Sequence, residues 1–379
     1  MNARERIYLD YNATSPLCAP ARWAVTEAFD VFGNPSSVHG EGRAARRLVE
    51  NGRDAVAALI GGRPREIVFT SGGTEANNLA FFGTPAESFV ISAVEHMSVR
   101  TAAERSGRPL FVCPVDDDGV VERSAFERLL GEAPAPAMAS IMLANNETGV
   151  IQPIRDLAAC AHAHGALFHC DAVQGPGRLA IDVEDLAVDL LTLSGHKLGA
   201  PKGIGALWVR EGIDLAPLLV GGGQEFRRRA GTENVPGIAG FAAAATAAGH
   251  ALRGVGRVRA LRDRLEATIL EAARDARVFG ATAPRIANTS AIYMPGMAAE
   301  TQVMAFDLEG IAISAGSACS SGKVQPSHVI AAMGATPQEA QSVIRVSLGA
   351  ETSQAEIDRF VTVWLDLYER AAKRRVGAV

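Results

Sequence analysis

Apolar residues along this chain come in short runs separated by longer amphipathic stretches. Runs at 67–70, 88–94, 110–114, 139–143, 166–171, 190–194 and 205–209 are bounded by Gly, Pro, Ser or Asp, which reads as buried strands. Helical periodicity fills most of the intervals, and strand-helix alternation of this kind predicts an α/β fold with a mainly parallel sheet covered on both faces. Ahead of it, an extended segment at 7–14 leads to predicted helices at 19–32 and 41–60, with the loop Gly33-Asn-Pro-Ser-Ser-Val-His39 between them. From about residue 220 the pattern changes to a Gly/Arg-rich loop, then a long Ala/Arg-rich helix to about 276. Strands near 289–294, 312–314 and 344–347 follow. The expected division is an arm over 1–14 packing with the smaller unit, a large domain over 15–255 built on a seven-stranded sheet, and a smaller C-terminal α+β domain over 256–379.

Composition changes this picture little. A chain of 379 residues, 48% hydrophobic, can bury cores of that size, and a formal charge of −5 offers no basic surface for nucleic acid or an anionic membrane. No apolar leader follows Met1-Asn-Ala-Arg-Glu-Arg, and no uncharged run is read as spanning a membrane, so a cytoplasmic protein is expected. The five cysteines, Cys18, Cys113, Cys160, Cys170 and Cys319, include no C-x-x-C pair. Free thiols in a reducing compartment fit that spacing better than a disulfide framework, and no metal site is expected.

Chemistry enters with the lysines. Of 37 basic residues only Lys197, Lys202, Lys323 and Lys373 are not arginine. Lys197 sits in Ser194-Gly-His-Lys197, where the 190–194 strand ends. An amine can lose its proton and condense with an aldehyde, which a guanidinium cannot, so Lys197 is a candidate for a Schiff base with pyridoxal phosphate (PLP); a plain loop lysine is the alternative. The strand at 166–171 ends in Asp171, with Gln174 close behind. A carboxylate there lies where α/β sheets place ligands and could keep a pyridinium nitrogen protonated, or simply cap the next turn. The strand at 67–70 runs into Ser71-Gly-Gly-Thr-Glu-Ala-Asn-Asn-Leu79, whose glycines, Gly73 among them, open a helix N-terminus suited to a phosphate, with a hydroxyl from Thr74. The same turn also serves as an ordinary cap. Arg345 lies in the otherwise apolar Val343-Ile-Arg-Val-Ser-Leu-Gly349, where a buried guanidinium needs an anion, either an α-carboxylate or a structural acid. Cys319 stands in a small, polar, Gly-rich segment that suits a mobile thiolate, whereas Cys113, Cys160 and Cys170 look like inert core residues.

The chain resembles the NifS/IscS-type cysteine desulfurases of the fold type I PLP enzymes. The resemblance rests on Thr70-Ser-Gly-Gly-Thr-Glu-Ala-Asn77, Asn145-Asn-Glu-Thr-Gly149, Ser194-Gly-His-Lys197, Arg229-Ala-Gly-Thr-Glu-Asn234 and Gly316-Ser-Ala-Cys-Ser320, in family order. It implies that the large domain binds PLP through Lys197, with Gly73, Thr74, Ser194 and His196 at the phosphate and Thr232 reaching it from a neighbouring subunit. Asp171, Gln174 and Asn146 would hold the ring. His96 would stack on it and handle protons, Arg345, Asn146 and Asn34 would bind substrate, and Cys319, on a loop of the small domain, would be the nucleophile. The implied activity converts L-cysteine to L-alanine with sulfur held on Cys319 as a persulfide, in a homodimer that serves an iron–sulfur scaffold or another sulfur acceptor. Phe226, where relatives often carry a basic or polar residue, and Ala200, in Leu198-Gly-Ala-Pro201, depart from the pattern. The rivals are a selenocysteine lyase, a class V aminotransferase and a non-catalytic scaffold; sulfide release and a visible spectrum separate them.

Overall fold

The computed structural model describes residues 6–316 and 326–377. Seven strands form the central sheet, all fully or largely buried except the edge strand β3: β1 (Ile67–Thr70), β2 (Ser88–Ser92), β3 (Leu110–Cys113), β4 (Ala137–Ser140), β5 (Leu167–Asp171), β6 (Leu190–Ser194) and β7 (Gly205–Val209). Their order is β1-β7-β6-β5-β4-β2-β3. Helical crossovers make β6, β5, β4, β2 and β3 parallel neighbours. β7 alone runs antiparallel, against both β6 and β1, because the connection at 195–204 contains no crossover helix. The carboxyl ends of β1, β2, β4, β5 and β6 therefore open on one edge, where the chain order reverses and a crevice forms.

Two strands stop earlier than their apolar runs suggest. β2 ends at Ser92, since Glu95 folds back to accept a hydrogen bond from Ser92 Oγ (2.6 Å). The strand expected at 139–143 is Ala137–Ser140, and Met142 leaves the sheet to donate its N–H to Glu95 Oε1 (2.9 Å). The long helix expected to reach about 276 is two, Val235–Ala251 and Val255–Ala272, joined by a 3-10 turn at Leu252–Gly254.

The reading that no uncharged run is long enough to cross a membrane is corrected here. Residues 234–252 carry no Asp, Glu, Lys or Arg, and the helical stretch from Val235 passes that test by length and composition. Tertiary packing gives this run its place. Ile238, Phe241, Ala244 and Ala245 are buried in the main core against the helices Ala19–Phe29 and Gly40–Leu59. The approach is so close that a Cβ on Gly52 would lie 2.3 Å from Ile238. Half of the apolar window is buried inside the protein.

The C-terminal third forms an antiparallel sheet in the order Ser314–Ala315, Val343–Ser347, Thr289–Tyr293, Arg277–Val278. Its core starts at Val258 and includes Leu265, Ile269, Phe306, Phe360 and Trp364, together with Ile7 and Leu9 of the arm. Phe279, Val329, Ile330 and Met333, from the same third, pack into the main core instead. The arm enters as a strand, Ile7–Tyr8, parallel to Ile311–Ala312, then carries residues 10–14 to the mouth of the central sheet.

Candidate active site

At the carboxyl edge lies a cavity of about 610 Å³, lined among others by Gly73, Thr74, His96, Asn146, Asp171, Gln174, Ser194, His196, Lys197 and Arg345. Strand ends bring these residues together from 273 positions of sequence. Lys197 follows β6 on a single 3-10 turn, Gly195–Lys197, and its Nζ donates to the carbonyls of Asn12 (2.6 Å) and Ala13 (3.0 Å) on the arm. Ser15 Oγ fixes the Lys197 carbonyl (2.7 Å).

Asp171, buried at the end of β5, accepts Val173 N–H on Oδ1 (3.0 Å) and Asn77 Nδ2 on Oδ2 (2.8 Å). Asn77 also donates to Ser98 Oγ (2.8 Å), which meets His96 Nδ1 (2.8 Å). Ser98 N–H donates to that same Nδ1 (3.1 Å), so a neutral ring carries its proton on Nε2. Burial pushes His96 below the ordinary imidazole range and Lys197 and His328 act the same way, against the pull of Asp171. His169 lies fully buried beneath, bridging Ser140 and Thr192, and burial lowers it to about 4. His196 is likewise lowered to about 4, by burial and by the two neighbouring lysines, and shares a hydrogen bond with Thr14 (3.2 Å). The cavity's imidazoles therefore act as neutral groups.

The loop after β1 needs its glycines. Gly72 has φ 157°, and a Cβ there would meet nothing within 4 Å. A Cβ on Gly73 would lie 2.9 Å from Val173 and 3.3 Å from Ser194, so only glycine lets the helix Gly73–Gly83 start this close to β5 and β6. The helix N-terminus then faces the cavity beside Thr74, Ser194 and neutral His196, an arrangement that favours an anion without supplying a counter-charge.

Arg345 is 5% exposed. It donates to Asp10 (2.7 Å) and to the Asn146 carbonyl (3.0 Å), while its buried Nε has no hydrogen-bond partner among the described residues. The structural acid and the open donor thus coexist on one guanidinium. Gln174 is held by Asn12 O (3.1 Å) and by a hydrogen bond from half-buried Arg178, which desolvation and Arg345 lower to about 10.

Not every expected residue reaches this cavity. Thr232 is exposed and lines a smaller pocket with Ser71, Gly203 and Arg229. Asn34 is exposed, its Oδ1 accepting Ser36 N–H (2.8 Å), outside the cavity lining. Cys319 lies outside the described residues. Asn12, Ala13, Asn77 and Arg178 had no role assigned from sequence; Asn77 stands inside the motif Thr70–Asn77, and Asn12 and Ala13 fall in the extended segment at 7–14. Among the described residues no group of three His, Cys, Asp or Glu could hold a metal.

The residues suit PLP: an amine for an aldehyde, a buried carboxylate for a ring nitrogen, a glycine-made anion cradle and an arginine with an open buried donor. A fold type I α/β enzyme is the class that this sheet and this lysine-centred crevice define. The chain belongs to the aminotransferase class-V family, whose sequence model matches residues 7–360. It is 45% identical over 95% of each chain to a cysteine desulfurase of Cereibacter sphaeroides. To one of Gluconacetobacter diazotrophicus it is 44% identical, over 96% of this chain and 92% of that one. A solved NifS-like protein from Rickettsia africae superposes with a TM-score of 0.88 at 34% identity, covering 96% of this chain and all of the other.

Proposed function

We propose that this chain is a PLP-dependent cysteine desulfurase that passes the sulfur of L-cysteine to Cys319. The observation that carries the reading is the meeting of Lys197, Asp171, His96 and Arg345 in one crevice beside the glycine cradle, in a chain similar end to end to cysteine desulfurases. When bound, PLP supplies an electron sink for the bond changes at the substrate's Cα and Cβ.

The rest is done by the chain. Gly73, Thr74, Ser194 and His196 hold the phosphate with hydrogen bonds alone. Asp171, oriented by hydrogen bonds from Asn77 Nδ2 and Val173 N–H, holds a proton on the ring nitrogen. Arg345 takes the α-carboxylate through its open Nε–H, with Asn146 alongside. Lys197 Nζ moves the Cα proton, and the carbonyls of Asn12 and Ala13 hold it at the strand mouth. His96 handles protons at the substrate thiol through Nε2: with Nδ1 held by Ser98 N–H, the ring gives up its Nε2 proton first and can then take the thiol's. Cys319 thiolate attacks the substrate sulfur; the Cβ–S bond breaks, an S–S bond forms, and Cβ is protonated to give L-alanine. Cys113, Cys160 and Cys170 are poor nucleophiles, because burial pushes all three thiols up, Cys113 to about 12.

The persulfide serves an iron–sulfur scaffold or another sulfur-acceptor protein, in the cytoplasm. The chain acts as a homodimer in which Thr232, and Asn34 with it, serve the partner's cavity. Exposed Trp23, Phe29, Phe32, Val220 and Phe226, on the elements near these two residues, support an apolar contact face. Cys319→Ser tests the central step. The variant is expected to take up PLP and to change its visible spectrum with L-cysteine, while forming no protein persulfide and almost no alanine. Near-normal alanine formation would favour a lyase that expels sulfur without a protein thiol.

A further inference from the structure

Residues 221–234 leave the central sheet after β7 and carry Arg229 and Thr232. Within them Glu225, Phe226 and Arg227 have φ of 46°, 56° and 66°. Three successive non-glycine residues in the left-handed region are unfavourable, because each Cβ crowds the following carbonyl oxygen, and such a run needs an external restraint. Its own closure is slight: Arg227 N–H to Gln224 O (2.9 Å) and Arg228 N–H to Glu225 O (3.0 Å).

The restraint is a buried ion pair. Glu225 accepts both arms of Arg53 (2.7 and 2.9 Å), and the two side chains are 2% and 3% exposed. The Arg53 guanidinium also lies against the rings of Phe69 and Phe226, 5.1 and 4.9 Å from their centroids. Neither Arg53 nor Glu225 lines the active cavity. What they grip is the strand that feeds it: Arg53 donates to Ile67 O (2.6 Å), and Glu225 accepts Phe69 N–H (2.9 Å), both on β1. Beyond the turn, Arg229 binds Glu75 (2.9 Å), whose other oxygen accepts Ser71 N–H (2.8 Å). One segment therefore holds the glycine loop from its upstream strand and from its downstream helix.

We infer that Arg53, Glu225 and the left-handed turn they enforce are positioning residues for the 71–74 anion cradle, setting the convergence of its N–H groups on a phosphate ester. This rests on the cofactor reading above. It implies a loss confined to phosphate recognition when the pair is broken, since the pyridine-facing residues Asp171, His96 and Lys197 make no contact with the pair.

The test compares PLP with pyridoxal, which share ring and aldehyde and differ in the phosphate ester, by absorbance titration of the cofactor-stripped full chain. Glu225→Gln is expected to weaken PLP at least tenfold while pyridoxal binding stays within about twofold. Retained pyridoxal binding also reports that the variant is folded. Glu225→Gln combined with Phe226→Gly is expected to recover most of the PLP affinity, because glycine adopts φ near 56° without the clamp. Equal losses for both ligands, or no recovery in the double variant, would overturn the inference. Wild-type chain that takes up neither ligand would remove the cofactor reading and this inference together. Wild-type preference for PLP, unchanged in Glu225→Gln, would overturn this inference alone.

Discussion

Replacing Glu95 with glutamine probes the charge beneath His96. Glu95 is fully buried; its Oε1 accepts Ser92 Oγ (2.6 Å) and Met142 N–H (2.9 Å), and its Oε2 has no partner among the described residues. Burial pushes this carboxyl from 4.5 up to about 8; the two hydrogen bonds oppose the rise and Asp171 adds to it. The folded protein then keeps a proton that the unfolded chain releases, so this contribution to stability is complete below pH 4.5 and is lost as pH rises through 8. Integrated from about pH 5 to about pH 8, the loss is roughly 3–4 kcal/mol. For 379 residues the entropy of unfolding is about 0.8 kcal/mol/K, which converts that loss to about 4 °C in Tm. Glutamine keeps the accepting oxygen and cannot ionise. Thermal scans across this range should show Tm of Glu95→Gln minus Tm of wild type growing by about 4 °C with rising pH. Glu147, raised to about 7 by burial, titrates in the same direction but is present in both proteins and cancels. A constant offset between the two proteins would show that Glu95 is charged in the fold and refute the reasoning.

Arg345→Lys keeps the charge beside Asp10 but loses the planar fork. The loss of a charge-assisted contact of about 1.5–3 kcal/mol should raise KM for L-cysteine roughly ten- to a hundredfold, with a smaller change in kcat; an unchanged KM would remove Arg345 from the substrate. Mixing Thr232→Ala chains with Lys197→Ala chains should restore alanine formation above both parent homodimers, because one cavity then pairs an intact Lys197 with the partner's intact Thr232. No recovery in a verified heterodimer would place Thr232 elsewhere.

Much of this protein was decided within short windows of sequence. The buried strands, the glycine turn after β1, the acid closing β5 and the lysine just past β6 are all local: side-chain period, turn chemistry and φ freedom act over a few residues. Because parallel strands share one carboxyl edge, residues at separate strand ends could be expected in one crevice before any contact was known. Contacts between distant segments were decided only by the tertiary structure. The carbonyls that hold Lys197 Nζ come from positions 184 and 185 residues away, and the acid beside Arg345 from 335 away. Nothing in the sequence near Asp171 announced that Asn77 would bridge it to His96. Strand ends slipped because Glu95 drew Ser92 and Met142 out of the apolar rhythm. The uncharged run at 234–252 became a core helix because two other helices cover it. The left-handed turn at Glu225 to Arg227 exists because Arg53, on a helix 172 residues earlier, supplies the charge that holds it. Local preference alone would have rejected that backbone, and only a buried partner brought in by the fold makes it stable.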